Sequence, residues 1–463
     1  MSQQSRRPPA RAPAERARPT RTRIDRLVFQ GNGMGRLPDG RVVFVPYTVP
    51  GDEVEIAVRE RGGDFAQADL LRVLAPGPAR VAPPCPHFGR CGGCQWQHLA
   101  YPAQLEWKRR VLEELLLRVG KLEGLEVRQP LVPAGPWGYR ARAQFKVTGP
   151  GRPRIGFHQR DTHTVVDVER CPLLVPPLNA VLHALRGMQT PNLTALFPGV
   201  REVWVAAAAG TPDVLVSLFA PPRERGALRL LFHTLRAQVP GLCGVVLLAG
   251  EPRENPRATD WHGQPALREE VAGHRFRVGA TGFFQVSGLA AGALTALVLE
   301  AAGLTGRERV LDLYGGVGTF TVPLAHRAAE TVGVEGHPAA AADAGHNLAR
   351  NACPAARMLH ADVEQALADL APRGPWDVVV LDPPRHGCSP RLLELLAGAA
   401  PRRVVYVSCD PSTLARDLGR LAGLGYVARW LQPLDLFPHT FHLETVALVT
   451  PAGFPCVAPA NPG

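Results

Sequence analysis

The sequence lacks the features that would place it in a membrane or on a secretory route. No apolar run approaches the roughly 20 residues that a membrane-spanning helix requires. The N-terminal stretch carries arginine and proline where a signal peptide would have its apolar segment. We therefore expect a cytoplasmic protein without a membrane partner.

Lysine is also scarce, because Lys108, Lys121 and Lys146 are the only three in 463 residues. The net charge of +11 therefore comes almost wholly from arginine. A strongly basic chain suggests a polyanionic partner such as RNA, although the arginine bias equally fits a GC-rich genome. Residues 1–22 combine arginine and proline with hardly any acids, which predicts a disordered basic tail.

The nine cysteines are odd in number and follow no signal peptide, which argues against a disulfide framework. Cys85, Cys91 and Cys94 form a C-x5-C-x2-C run, whose two central glycines allow tight folding. Cys171, followed by proline as in some ferredoxin cluster runs, is the candidate fourth ligand. The spacing favours a [4Fe-4S] cluster. Tetrahedral zinc is the alternative, although zinc ligands usually come as two short pairs.

Short β-rich runs separated by turn signals extend from Ile24 to about Arg80 and predict a compact β-barrel. The leucine spacing from Leu105 to Val119 predicts a helix. Residues 139–147 then alternate basic with apolar side chains, as a half-buried strand does. Its charged face suits either phosphate contacts or solvent.

A regular alternation of strands and helices begins at Val310. Five apolar runs fit the strands of a parallel, doubly wound sheet, and a late strand follows at 446–449. Ligands bind such sheets at the carboxyl ends of the strands. The residues that follow or end these runs are therefore the candidates for chemistry.

A glycine-rich turn, residues 315–318, follows the first strand and would let a nucleotide approach the backbone. The turn lacks the third glycine of the dinucleotide fingerprint, which disfavours NAD. Glu335 ends the second strand, where it is placed to hold ribose hydroxyls, and Asp362 on the next strand suits an adenosyl group. Asp382-Pro383-Pro384 ends the fourth strand as a rigid polar loop, so we assign it to the site.

The fifth strand, Val404–Val407, runs into Ser408-Cys409-Asp410-Pro411 and presents Cys409 at its carboxyl end. A cysteine beside a methyl donor suggests covalent catalysis on uracil, whose C5 is a poor nucleophile. Thiolate addition at C6 makes C5 reactive. A base must afterwards remove the C5 proton, and Glu444 is the candidate base.

Taken together, the motifs resemble the RNA uracil-5-methyltransferases, specifically the iron–sulfur branch that acts on 23S ribosomal RNA. They cover nearly the whole chain after the basic tail, and they read CPHFGRCGGCQWQ, YRARAQFKV, FFQV, LDLYGGVGTF, VLDPPRHG, YVSCDP and FPHTFHLETV. The chain departs from the family at Ser287 and Asp410, where Asn is frequent, and at Thr319, where Asn sometimes stands.

The resemblance implies an OB-like β-barrel of the TRAM type at 23–80 and a mixed α+β central domain at 81–270, which holds the cluster and contacts RNA. A Rossmann-like methyltransferase domain at 271–452 and a tail at 453–463 complete the expected α/β architecture. Cys409 would be the nucleophile and Glu444 the base. The implied cluster ligands are Cys85, Cys91, Cys94 and Cys171; the implied pocket for S-adenosylmethionine contains Gln285, Tyr314, Glu335, Asp362 and Asp382.

Three other functions fit parts of the pattern. The same chemistry on the T-loop uridine of tRNA uses every motif except the cysteine run, which some such enzymes lack. A noncatalytic iron–sulfur RNA-binding protein would not need Cys409 and Glu444, and a redox enzyme would need a dinucleotide fingerprint that is missing. We expect a monomer that modifies 23S rRNA.

Overall fold

The computed structural model describes residues 19–454, apart from residues 62, 150–152, 189–191, 253 and 255. Most of the predicted basic tail, most of the predicted C-terminal tail and Cys456 lie outside the described residues. The chain divides into two compact units. The first contains residues up to 89, 94–107 and 439–441, and the second contains 90–93, 108–438 and 442 onward.

The first unit is built on a closed barrel of five strands in the order β1-β2-β3-β5-β4. The strands are β1 (Thr20–Leu27), β2 (Gly33–Arg36), β3 (Val42–Val45), β4 (Glu53–Arg61) and β5 (Phe65–Ala75), with a 3-10 turn at Phe29–Gly31. Alternate residues such as Ile24, Val43 and Ile56 fill the interior, because successive side chains of a strand point to opposite faces. The predicted barrel is confirmed.

Helix α1 (Tyr101–Arg118) begins in the first unit and ends in the second. The second unit contains two sheets, of seven and eight strands, and a two-stranded hairpin. The hairpin consists of β14 (Ala266–Val271) and β15 (His274–Gly279).

The seven-stranded sheet has the order β13-β12-β11-β10-β7-β8-β9. Its strands are β7 (Arg142–Thr148), β8 (Arg154–His158), β9 (Val165–Asp167), β10 (Glu202–Ala207), β11 (Val214–Phe219), β12 (Leu242–Ala249) and β13 (Arg257–Gly263). Helices α2 (Pro176–Gly187), α3 (Leu193–Leu196) and α4 (Arg225–Arg236) contribute leucines to a core that includes alternate residues of β10, β11 and β12. Mixed α and β structure was expected here.

The eight-stranded sheet has the order β18-β17-β16-β19-β20-β22-β21-β6. Strands β16 (Arg309–Leu313), β17 (Glu330–Glu335), β18 (Ala356–His360), β19 (Val378–Leu381) and β20 (Arg403–Ser408) are parallel. The remaining strands are β6 (Glu126–Val127), β21 (Tyr426–Leu434) and β22 (Glu444–Pro451), and β22 runs antiparallel to both β20 and β21. The parallel sheet is confirmed, whereas β21 and β6 were not predicted.

Helix α5 (Gly288–Ala302) leads from the hairpin into β16. The helices that connect the later strands are α6 (Thr321–Ala325), α7 (Pro338–Arg350), α8 (Val363–Leu370), α9 (Pro390–Gly398) and α10 (Pro411–Gly423), with a 3-10 turn at Ala371–Arg373. The inner strands β16, β17, β19 and β20 are buried along nearly their whole length, because helices cover a doubly wound sheet on two sides. Val379 and Val404 are fully buried, and burying such a side chain contributes roughly 1.5–3 kcal/mol. Within the described residues, none of the helices has the length and apolar character that crossing a membrane requires.

Candidate active site

The carboxyl ends of β19 and β20 and the start of β22 meet at one edge of the eight-stranded sheet. Ser408 lies opposite Thr445 in the antiparallel pair of β20 and β22. Glu444, the first residue of β22, therefore comes opposite the position that follows β20, which is Cys409. The neighbouring strand β19 ends at Leu381, so Asp382 leaves the sheet at the same edge. The structure thus brings Cys409, Glu444 and Asp382 together.

The electrostatic surroundings of Cys409 disfavour its thiolate. Burial raises the pKa of the Cys409 thiol to about 12, and the carboxylates of Glu444 and Asp382 add to the effect. Arg385, in the loop after β19, lowers the same pKa. The cysteine is partly buried, so its reactivity depends on the charges that surround it.

Three acidic side chains close to this edge have raised pKa values. Burial raises the pKa of Glu444 well above its usual range, and Asp382 adds to that rise. Burial and the charge of Asp312 raise the pKa of Asp382 to about 7. Asp312, fully buried in β16, has its own pKa raised by burial to about 7, although it accepts a hydrogen bond from Thr321 Oγ1 at 2.6 Å. Perturbed acids grouped at one strand edge are typical of a functional site.

The glycine-rich turn after β16 adopts a conformation that ordinary side chains avoid. Tyr314, Gly316 and Gly318 have φ values of +64°, +56° and +89°. A Cβ atom added at Gly316 would meet no atom within 4 Å, so the turn opens onto free space. The positive φ of Tyr314 is unusual for a bulky residue and marks this turn as constrained. Burial raises the pKa of the Tyr314 phenol.

Glu335 ends β17 beside this turn. Its carboxylate accepts the backbone N–H groups of Gly316 at 2.9 Å and His337 at 2.6 Å. The carboxylate therefore ties the first and second strand ends of the sheet together. This arrangement, an open glycine turn with an acid at the next strand end, fits an adenosyl group.

Asp362 and Gln285 occupy different surroundings. Asp362 is exposed at the end of β18 and caps α8 by accepting the Gln365 N–H at 3.0 Å. Gln285 is buried and lines a recess of about 670 Å³ together with Arg142, Trp204, His337 and Arg385. Tyr314, Glu335, Asp362 and Asp382 are not part of that lining.

Two of the departures from the family pattern have a structural explanation. Ser287 caps α5 by accepting the Ala290 N–H at 3.2 Å. Asp410 caps α10 by accepting the N–H groups of Ser412 at 2.9 Å and Thr413 at 3.2 Å. Ser, Asp and Asn are all good helix caps. Thr319 is partly buried in the glycine-rich turn.

The four predicted cluster cysteines divide between the units, with Cys85 and Cys94 in the first and Cys91 and Cys171 in the second. Across the described part of the chain, no group of three or more His, Cys, Asp or Glu side chains is placed to hold a metal ion. Four thiols suit an iron–sulfur cluster in donor chemistry.

Arg385 is the site residue that the sequence did not single out. It lies in the VLDPPRHG motif, where only Asp382 was assigned a role. The available signal was an arginine three residues after the acidic strand end. Its effects on Cys409 and Glu444 required the neighbouring strand positions to be known. His442 is half-buried, and burial with Arg385, Lys108 and Arg140 lowers its pKa to about 3.

Comparison with known proteins agrees with these observations. The family model described as "tRNA (Uracil-5-)-methyltransferase" matches residues 270–451, and the TRAM domain model matches residues 21–71. A relative from Gloeobacter violaceus, called an uncharacterized RNA methyltransferase, is 36% identical and covers 92% of this chain and 94% of its own length. One of the same description from Thermosynechococcus vestitus is 37% identical, covering 92% and 97%.

Among solved structures, the chain is similar to the tRNA (uracil-54, C5)-methyltransferase of Pyrococcus abyssi in complex with S-adenosyl-L-homocysteine. The TM-score is 0.71 at 26% identity, and the match covers 93% of this chain and 100% of the other. Relatives above 30% identity along nearly the whole length establish the family. The chain therefore belongs to the S-adenosylmethionine-dependent RNA (uracil-5-)-methyltransferases and carries an N-terminal TRAM domain.

Proposed function

We propose that this enzyme methylates C5 of a uridine in 23S rRNA through a transient bond between Cys409 Sγ and uracil C6. The observation that carries the proposal is the strand register that sets Glu444 opposite the position of Cys409. A nucleophile and a base on neighbouring strand ends are what a reaction through a covalent adduct requires. Arg385 beside them supports the anionic forms of both.

The proposed steps assign one task to each side chain. The Cys409 thiolate adds to C6, and the electron pair moves onto C5 and its neighbouring carbonyl, so that C5 becomes nucleophilic. S-adenosylmethionine supplies the methyl group that C5 accepts. Glu444, as a carboxylate, then takes the C5 proton, the C5–C6 double bond re-forms, and the Cys409 thiolate leaves. We propose Gln285, Tyr314, Glu335, Asp362 and Asp382 as the side chains that hold the methyl donor or the reacting base.

Trapping with RNA that contains 5-fluorouridine tests the nucleophile. Fluorine at C5 offers no proton to Glu444, so the adduct should accumulate and migrate as a protein–RNA band on a denaturing gel. Cys409→Ala should abolish the band. Cys243→Ala is the matched control, because Cys243 is a partly buried thiol in β12 of the other sheet and should leave trapping intact. Adduct formation that survives Cys409→Ala would refute the assignment.

The choice of RNA rests on the cysteine run that resembles the rRNA-specific branch. The similar Pyrococcus abyssi enzyme acts on tRNA, so the T-loop uridine of tRNA is the second candidate. Incubation with methyl-labelled S-adenosylmethionine and separate 23S rRNA and tRNA transcripts distinguishes them. Label in a uridine of 23S rRNA alone is expected. Label in tRNA alone would replace the rRNA proposal, and no label in either would favour a noncatalytic RNA-binding protein.

We also propose that Cys85, Cys91, Cys94 and Cys171 bind a [4Fe-4S] cluster that supports the fold or the bound RNA. Methyl transfer moves no electron through the protein, so no step of the reaction needs the cluster. Anaerobically purified protein should contain about four iron and four sulfide per chain. Cys171→Ala should lower both, with Cys243→Ala as control. Protein that contains zinc and no sulfide would contradict the cluster. The four cysteines would then form a tetrahedral zinc site.

The predicted domain boundaries near residues 80 and 270, the monomeric state and the cytoplasmic location complete the proposal. Size-exclusion chromatography with light scattering tests the oligomeric state. A stable dimer at micromolar concentration would contradict the expected monomer.

A further inference from the structure

Helix α10 begins two residues after Cys409 and contacts the loop that carries Arg385. Thr413, Arg416 and Asp417 are spaced three and four residues apart, so they share one face of the helix. We call these three side chains the α10 clamp. The loop in question joins β19 to α9 and spans residues 382–389.

The clamp holds the backbone of this loop by several hydrogen bonds. Thr413 Oγ1 donates to the carbonyl oxygen of Arg385 at 3.2 Å. Arg416 Nη2 donates to the carbonyl oxygens of His386 and Cys388 at 2.8 and 3.3 Å. Asp417 Oδ2 accepts the Cys388 N–H at 2.8 Å. The backbone beside Arg385 is therefore fixed by one helix face.

Asp417 joins three elements of the fold. Its fully buried carboxylate also accepts the Tyr406 hydroxyl at 2.8 Å and Arg416 Nε at 2.8 Å. Tyr406 lies in β20, the strand that leads to Cys409. A buried carboxylate satisfied by several donors is costly to disturb, since removing one leaves a desolvated charge. The loop, the helix and the nucleophile's strand are thus locked together.

Gly387 shows how closely the loop approaches the helix. Its φ is +71°, and a Cβ atom there would lie 2.4 Å from Asp417 Oδ2 and 2.6 Å from Arg416 Nη2. Only glycine allows this backbone conformation and this approach.

We propose that the α10 clamp positions Arg385 so that its guanidinium faces the Cys409 thiol and the Glu444 carboxyl group. The inference rests on the proposed function, which it deepens by naming positioning residues for the reaction. The charged groups that act on the pKa of Cys409 are Glu444 from β22, Asp382 and Arg385 from the loop, and Asp410 from the α10 cap. Arg385 is the cation among them, so its displacement should make the thiolate harder to form.

Alkylation of Cys409 by iodoacetamide tests the clamp, with the modified peptide quantified by mass spectrometry across a pH series. Arg416→Ala should slow alkylation at pH 7.5 by roughly three- to tenfold, the effect of a thiol pKa higher by about half to one unit. Thr413→Val keeps the side-chain volume and should produce a smaller slowing in the same direction. Arg416→Lys retains a donor but loses the planar fork, so it should restore part of the rate.

Arg420→Ala is the matched control, because Arg420 lies on the same helix, approaches Asp417 only at 3.8 Å and is exposed. It should alkylate at the wild-type rate. In methylation assays Arg416→Ala should lower kcat while the KM for S-adenosylmethionine stays constant. Circular dichroism verifies that each variant is folded.

Wild-type alkylation profiles in both Arg416→Ala and Thr413→Val would overturn the inference, as would equal slowing in Arg420→Ala. Because alkylation requires neither RNA nor methyl donor, this result is independent of whether 5-fluorouridine RNA is trapped. The alkylation experiment can therefore contradict the role of the α10 clamp without contradicting the proposed reaction, and the trapping experiment can do the reverse.

Discussion

Two parts of the second unit bury charged side chains in opposite ways. Lys108 and Asp435 are both buried and form an ion pair at 2.6 Å, and Lys108 also donates to the carbonyl oxygen of Phe437 at 3.1 Å. At the carboxyl edge of the parallel sheet, burial raises the pKa values of Glu444, Asp382 and Asp312; in addition, Asp312 raises the pKa of Asp382, and Asp382 raises that of Glu444. A buried charge is costly unless an opposite charge compensates it, whereas like charges grouped at a strand edge shift pKa values and so tune reactivity.

The comparison predicts its largest effect for Glu444→Gln. Removing the proposed base should lower methylation turnover by about 10²- to 10⁴-fold. Methylated RNA should remain covalently attached to Cys409, because the C5 proton is not removed. Since the Glu444 charge raises the pKa of Cys409, the variant should also alkylate faster than wild type with iodoacetamide. Turnover and a denaturing gel measure both effects.

Glutamine retains the size of the side chain, so loss of turnover would not reflect a cavity. Glu394→Gln, on α9, provides a carboxylate control that should keep wild-type turnover. Normal turnover in Glu444→Gln would show that another residue is the base. The acids at the carboxyl edge of the sheet would then have no demonstrated catalytic role.

Breaking the ion pair between Lys108 and Asp435 should lower the stability of the fold and not the rate of methylation. Lys108→Met leaves Asp435 buried without its cation, which should lower the free energy of unfolding by about 3–5 kcal/mol. The double variant Lys108→Met with Asp435→Leu removes both charges and should regain much of that loss. Urea unfolding followed by circular dichroism measures the differences. A double variant as unstable as the single one would mean that the pair acts through packing and not charge.

The pH dependence of stability should further distinguish the acids at the carboxyl edge of the sheet from the Lys108–Asp435 ion pair. Because burial raises the pKa of Asp312 from 3.8 to about 7, the unfolded chain releases this proton first as pH rises. Its contribution to stability is full below pH 4 and is lost between about pH 4 and pH 7. Asp312→Asn, which keeps an acceptor for Thr321 Oγ1, should reduce that loss by about 2–4 kcal/mol. Urea midpoints at pH 5 and pH 8 test this, and parallel curves for variant and wild type would contradict it.

The strands of this edge were predictable because their composition is strongly β-branched. Runs such as Val378–Leu381 and Val404–Val407 leave little choice but a buried strand, and the residues after them were accordingly assigned to the site. The barrel was predictable from its turns. Strand β21 was not, because Arg429 and Pro433 interrupt its apolar pattern. Without β21, the position of β22 between two strands of the sheet could not be predicted.

Contacts between distant residues account for most of what the sequence did not show. Asp417 sits in an ordinary helical pattern beside two arginines, as a surface acid would, yet it is fully buried. Its role depends on Tyr406 and Cys388, which belong to other elements. The effect of Arg385 on Cys409 likewise becomes evident only once β19 is known to lie beside β20. Motifs identify strand ends, but pairing of the strands decides which side chains meet.

Substitutions at Asp362 test how far the binding site for the methyl donor extends along the carboxyl edge of the sheet. Of the predicted effects, theirs is the smallest. The side chain caps α8 and is also a proposed contact of the methyl donor. Asp362→Asn preserves a capping oxygen but loses the charge, so the unfolding free energy should stay near wild type while the KM for S-adenosylmethionine rises several-fold. Asp362→Ala should raise the KM similarly and, in addition, cost about 1 kcal/mol of stability from the lost cap. A wild-type KM in both variants would mean that Asp362 only caps α8. The residues that bind the methyl donor would then extend along the sheet no further than Glu335.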